Sequence, residues 1–163
     1  MLLEGSCHCS AVRFTCDSKH PVPYQRCYCT ICRKTGGGGG FMINIEADAR
    51  SLKVVGVENT TVYQATVERD GETVKSGHER HFCKLCGSHL WAFNARWPDL
   101  LHPVAGAIDS ELPRPPEHVH LMVGEDSRAR WVAVEGGEAD ARFDGYPKES
   151  LAGWHQTRGL DVE

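Results

Sequence analysis

The chain has 163 residues, of which 40% are hydrophobic and 25% charged, with a formal net charge of −4. That length supports one hydrophobic core and is too short for two full-sized domains, so residues 1–163 read as a single domain. An acidic balance with a pI near 6.1 supplies no basic face for nucleic acid, and no apolar run approaches the roughly 18 residues of a membrane span.

Met1–Cys7 has neither the charged nor the apolar segment of a secretion signal. The expected location is therefore the cytoplasm, without nucleic-acid or membrane partners, where clustered thiols stay reduced and serve metals rather than disulfides.

In chain order, Ala11–Cys16 alternates apolar and polar residues and reads as a half-buried strand. Short strands are predicted at Phe41–Ile45, Leu52–Val55, Thr61–Val67, Thr73–Phe82 and His89–Phe93. The pattern continues at His102–Ile108, His118–Val123 and Trp131–Val134. Asp70-Gly71 between two of these runs is a hairpin signal, and Pro113–Pro116 reads as a rigid surface connection. The best helix candidate is Pro147–Gln156, with a shorter turn after Cys32. The expected fold class is mainly β, with no internal repeat.

Seven of the eight cysteines fall into three clusters: Cys7 and Cys9, then Cys27, Cys29 and Cys32, then Cys83 and Cys86. Seven thiolates suffice for two zinc sites, one closed by four ligands and one left open with three. Pairs separated by one residue strain a mutual disulfide but readily share a metal. Spacing leaves the partition open, since 29/32 with 83/86 is as admissible as 7/9 with 83/86. A metal spanning the latter pairs would close a loop of about seventy residues, turning ligand free energy into folding free energy. Three functions stand at this point: a metalloenzyme, a non-catalytic zinc-stabilised interaction domain, and a redox dithiol protein using Cys29 and Cys32. Cys16 lies in phase with Val12 and Phe14 and reads as a small buried hydrophobe, with a fourth-ligand role as the minority reading.

The chain resembles the glutathione-dependent formaldehyde-activating enzyme family, also called the CENP-V/GFA domain family. The matching residues are Gly5-Ser-Cys-His-Cys9 leading into Ala11–Phe14, Cys27-Tyr-Cys-Thr-Ile-Cys-Arg-Lys-Thr-Gly36, Phe82-Cys-Lys-Leu-Cys-Gly-Ser-His-Leu90 and Gly106-Ala-Ile-Asp109. The His118 strand and Arg128–Trp131 extend the likeness over nearly the whole chain. The resemblance implies a β-tent fold with zinc knuckles and a short C-terminal helix. It implies a structural zinc on Cys7, Cys9, Cys83 and Cys86 and a catalytic zinc on Cys27, Cys29 and Cys32, two per chain. The activity it implies is that of a carbon–sulfur lyase, joining the glutathione sulfur to formaldehyde to give S-hydroxymethylglutathione. Two departures stand out: Ser10, where glycine is typical, and the unbroken glycine run 36–40.

The chemistry of three thiolates agrees. With zinc they form a centre of charge −1, a weaker Lewis acid than one built on neutral histidines, which disfavours water activation and suits an incoming thiol. Anionic glutathione needs local cations, and Arg26, Arg33 and Lys34 flank the three-cysteine cluster, although solvated surface charge is an equal reading. Gly36 and Gly37 open the glycine run, which can offer backbone N–H groups to a carboxylate or form a flexible lid. His78, His81 and His89, with Arg80, surround the Cys83/Cys86 knuckle; one can serve as a polar partner, and most read as ordinary strand residues. His118 and His120 share a strand face without implying a third metal site.

Overall fold

Short, turn-punctuated strands dominate the computed structural model, which describes residues 1–36, 38–115, 118–121, 128–134, 136–137 and 140–160. The strands are β1 (Leu2–Ser6), β2 (Arg13–Asp17), β3 (Tyr24–Cys27), β4 (Met42–Asn44), β5 (Ala47–Asp48), β6 (Lys53–Val55), β7 (Thr60–Tyr63) and β8 (Thr66–Arg69). They continue as β9 (Glu72–Lys75), β10 (His78–Cys83), β11 (His89–Asn94), β12 (Leu100–Pro103), β13 (His118–Leu121) and β14 (Ala141–Phe143). Two helices, α1 (Thr30–Gly36) and α2 (Leu151–Thr157), complete the elements used below.

Three sheets, ordered β1-β2-β6, β5-β12-β11-β10-β7 and β14-β13-β3-β4, lean on one another as a mainly β, tent-like fold. Isolated bridges join them, Gly5 to Ile108 and Asn44 to Val104. Leu3, Val12, Phe14, Ile45, Leu90, Trp91 and Leu101 fill one core, with Phe14 edge-on to Trp91 at 5.1 Å. Each such side chain contributes about 1.5–3 kcal/mol by leaving water. Met42, Val104, Val119 and Leu121 form a second core around Cys27 and Cys32. Cys16 is fully buried in the first, as expected for a small hydrophobe. No helix among the described residues is long and apolar enough to cross a membrane.

The predicted hairpin forms: Asp70 and Gly71 both take positive φ, 53° and 81°, which a right-twisted two-residue turn between β8 and β9 requires. Other boundaries move. The runs Thr61–Val67 and Thr73–Phe82 each break in two, because the Ser76 N–H donates to the Ala65 carbonyl and the β8–β9 ribbon leaves the sheet there. His102–Ile108 gives β12 and then a 3-10 turn, Ala105–Ala107. Trp131–Val134 is not a strand, and the Val132 N–H closes a turn onto Ala129. The turn expected after Cys32 is a helix that already contains it. At α2 the chain waits for Ser150, whose hydroxyl accepts from the Gly153 N–H at 3.1 Å, so Pro147 stands outside the helix. His155 then ties α2 down by donating from Nε2 to the Val22 carbonyl at 2.6 Å. Pro116, Met122 and Val123, predicted in a connection and a strand, lie outside the described residues.

Ser10 holds the left-handed backbone that its family counterpart would hold as glycine, at φ 60°. A side chain there costs about 1–2 kcal/mol. Ser10→Gly is therefore expected to raise the melting temperature by roughly 2–5 °C, and an unchanged or lower value in differential scanning fluorimetry would show that the turn carries no strain.

Candidate metal centres and the adjoining cleft

Each cysteine cluster is placed by a turn at the end of a strand. Cys7 and Cys9 lie in the turn between β1 and β2, while Cys83 ends β10 and Cys86 sits in the β10–β11 turn. The four sulfurs lie within 4.8 Å of one another. Cys7 and Cys9 are 3.5 Å apart and Cys9 and Cys83 3.8 Å, close to the sulfur–sulfur edge of about 3.8 Å that a tetrahedral site with 2.3 Å zinc–sulfur bonds has. The Val12 N–H donates to the Cys7 sulfur at 3.3 Å, as knuckle turns do. Ser88 braces the other knuckle, accepting from the His8 N–H at 3.1 Å and lying 3.2 Å from the Cys86 sulfur.

Cys27 ends β3, Cys32 lies in α1, and Cys29 stands at the helix entrance, where its sulfur accepts the Cys32 N–H at 3.3 Å in the manner of an N-cap. These three sulfurs also lie within 4.8 Å of one another. Tyr28, between two of them, is fully buried. Its hydroxyl is 3.1 Å from Nδ1 of His120, whose Nε2 is 3.1 Å from the Asp140 carboxylate. The carboxylate can only accept from Nε2–H, which leaves Nδ1 to accept from Tyr28. This buried chain fixes the Cys27–Cys29 loop and gives His120 a role other than metal binding.

The thiols titrate as crowded like charges. Hydrogen bonds from the Cys27 and Cys32 thiols hold Cys29 down to about 2, against burial. Cys29 and Cys32, with burial behind them, push Cys27 far up. At Cys32 the lowering by Cys27 is outweighed by Cys29 and burial, for about 11. In the other cluster the Ser88 hydroxyl leads in holding Cys86 down to about 5. The Ala11 N–H lowers Cys9, but Cys7 and the remaining sulfurs with slight burial carry it to about 12. Each cluster thus tolerates negative charge on only some of its sulfurs, and a dication would relieve that by displacing the remaining protons. Two groups of unbridged, converging thiols fit soft metal ions such as zinc.

Beside both clusters opens a cleft of about 790 Å³. Arg33, Lys34 and Gly36 of α1 line it, together with Ser88 of the β10–β11 turn, His89 at the start of β11, and Asp109. Three of the predicted substrate residues thus share this cleft. Arg26 does not: it alternates with Cys27 on β3 and lies over the Phe41 ring at 5.4 Å. Gly37 lies outside the described residues. Gly38 lines the cleft, and Gly40 closes the run at φ 83°, where a Cβ would meet Val132 at 2.2 Å. Cys27, Cys29 and Cys32 do not themselves line the cleft; Cys32 lies one turn back along the same helix.

Two side chains that the sequence shows only as neighbours of a knuckle acquire weight here. Arg80 is 6% exposed, its Nε has no hydrogen-bond partner, and among the described residues it forms no ion pair. His89 is 7% exposed, with neither ring nitrogen paired. Each such buried polar group costs about 1–3 kcal/mol. The available signal was the run His89–Ala92, an apolar strand buried throughout that opens with a histidine. Burial, reinforced by the Arg80 charge, holds His89 down to about 4, so it is neutral at neutral pH.

Fold and site together define a β-tent protein with a four-cysteine and a three-cysteine centre. The sequence profile described as "Glutathione-dependent formaldehyde-activating enzyme" matches residues 2–138, and the chain belongs to that family. A Halomonas elongata protein named "Putative glutathione-dependent formaldehyde-activating enzyme" is 58% identical over 161 residues, covering 99% of each chain. The crystal structure of a Rhodobacter sphaeroides protein is similar at 26% identity and a TM-score of 0.52, over 69% of this chain and 97% of that one.

Proposed function

We propose that this chain is a zinc-dependent carbon–sulfur lyase of the S-(hydroxymethyl)glutathione synthase type, working in the cytoplasm as one domain spanning residues 1–163. It would join a glutathione thiolate to formaldehyde or a related aldehyde. On this reading Cys7, Cys9, Cys83 and Cys86 hold a structural zinc and Cys27, Cys29 and Cys32 a catalytic one, two per chain. The observation that carries it is the three-sulfur cluster set one helical turn from a polar cleft, since three ligands leave a tetrahedral metal one free position. Zinc bound there supplies a soft centre that stabilises a thiolate while leaving it nucleophilic.

The chain's own residues supply the rest. Arg33 and Lys34 at the cleft wall pair with the substrate's carboxylates, and Asp109 is the one carboxylate among the described lining residues. Gly36, the last residue of α1, lines the cleft beside them, its N–H directed back along the helix. Val104 and Ala107 add apolar side chains to the lining of this mainly polar cleft. Arg26, on the other face of β3, steadies Phe41 and Tyr28 and acts on the substrate only through the loop they hold. Holding sulfur and carbonyl together converts a two-body encounter into one step within a complex.

Zinc content with and without millimolar glutathione, read together with zinc-edge X-ray absorption, tests this. The expected result is two zincs per chain, a rise in mean sulfur coordination when glutathione is added, and consumption of formaldehyde with thiol. One zinc in a four-sulfur shell indifferent to glutathione would sink the lyase reading in favour of an interaction domain or a Cys29/Cys32 redox pair.

A further inference from the structure

The cleft contains a polar group for which the reading above has no use. The His89 ring stacks on Phe82 at 4.2 Å and 22°, which fixes its plane. Its Nδ1 lies 3.2 Å from the position a Cβ would take at Gly36, so the ring edge faces the last turn of α1. Gly36 follows Cys32 by four residues, and such positions share one helix face about 5–6 Å apart. His89 therefore looks onto the face of α1 that carries Cys32, and it lines the cleft. The Trp91 backbone, the nearby group that works to raise its pKa, makes no hydrogen bond to either nitrogen. Arg80 is on the same side of the sheet, two residues from Phe82 along β10. Its buried guanidinium donates from Nη1 to the His78 carbonyl at 3.5 Å, leaves Nε without a partner, and places positive charge near His89.

We propose that His89 is a catalytic residue, donating a hydrogen bond to the aldehyde oxygen as negative charge builds there during attack by sulfur. This rests on the lyase reading. A carbon–sulfur bond forms, and the carbonyl π pair moves onto oxygen. The resulting alkoxide takes back from water the proton that the thiol lost on binding, and nothing is oxidised or reduced. A neutral imidazole suits the task, because it offers an N–H without surrendering its proton. A preorganised donor in a water-poor site typically contributes 10²–10³-fold to such a step. Arg33 and Lys34 are suited instead to the fixed charges of the substrate, which do not change during the reaction.

His89→Ala and His89→Gln, each compared with the parent holoprotein, test the assignment. For His89→Ala the expected outcome is two zincs, glutathione affinity within about threefold of the parent, KM for formaldehyde little changed and kcat lower by about 10²–10³-fold. His89→Gln, which keeps an N–H donor, is expected to restore at least about tenfold of that loss. An unchanged kcat, or a kcat that falls in step with zinc content or thiol affinity, overturns the proposal. Should His89→Ala not fold, the ring ¹⁵N resonances of the parent decide. A shift of the His89 N–H on adding glutathione and formaldehyde, absent with glutathione alone, supports the contact, and no shift overturns it. A two-zinc parent that turns over no aldehyde defeats the lyase reading and this proposal together, whereas an active parent with an equally active His89→Ala defeats only the proposal.

Discussion

The double variant Cys9→Ser/Cys86→Ser is expected to melt roughly 10–20 °C below the parent and to bind one zinc fewer. Both side chains are exposed, so the exchange leaves no cavity and alters no packing. What it removes is the tie between the β1–β2 turn and the β10–β11 turn, whose sulfurs at Cys9 and Cys83 are 3.8 Å apart in space and 74 residues apart in sequence. By the chain-entropy relation for cross-links, closing a loop of that length stabilises by about 4–5 kcal/mol. A domain of this size has only about 5–15 kcal/mol in all, and each kcal/mol moves its melting point by about 2–4 °C. A chelator should reproduce the loss in the parent and add little in the variant. A variant that melts within about 3 °C of the parent would mean that the four sulfurs are not a staple.

The grouping of the cysteines was more legible in the sequence than the strand boundaries were, and the reasons are physical. Cysteines advertise themselves by spacing, and both groups of sulfurs converge in space along the lines of the family resemblance. Strand β3 was invisible because Tyr-Gln-Arg-Cys shows no apolar alternation; it is held by pairing with β13, far downstream, in a register that sets Tyr24 beside His118. Strands β1 and β14 likewise lean on partners rather than on their own pattern. Helix α1 reads as a mere turn because its first turn depends on the Cys29 sulfur accepting a backbone N–H, a cap no propensity scale anticipates. Cationic residues flanking a motif were equally ambiguous: alternation along β3 carries Arg26 away from the cleft, while helical spacing brings Arg33 and Lys34 to its wall. Tertiary contacts decided each case.

At the other cluster the same thiol-to-hydroxyl exchange is expected to act in the opposite way. Cys29→Ser should leave the melting temperature within about 3 °C of the parent, lower the zinc content from two per chain to one and reduce formaldehyde turnover by at least about 10³-fold. Serine is a good N-cap, so its hydroxyl can accept the Cys32 N–H that the sulfur accepts now, and α1 keeps its start. The Tyr28–His120–Asp140 chain still holds the loop. The hydroxyl stays protonated at neutral pH, however, so the site loses one of its three anionic ligands. Zinc by mass spectrometry, calorimetry and an aldehyde-consumption assay on one preparation would check all three quantities, and turnover that survives with a single zinc would remove the chemistry from this cluster. The contrast follows from chain geometry: a metal on the four sulfurs would join turns 74 residues apart, whereas one on the three would join only residues 27–32, a span that β3, its neighbours and α1 already hold in place.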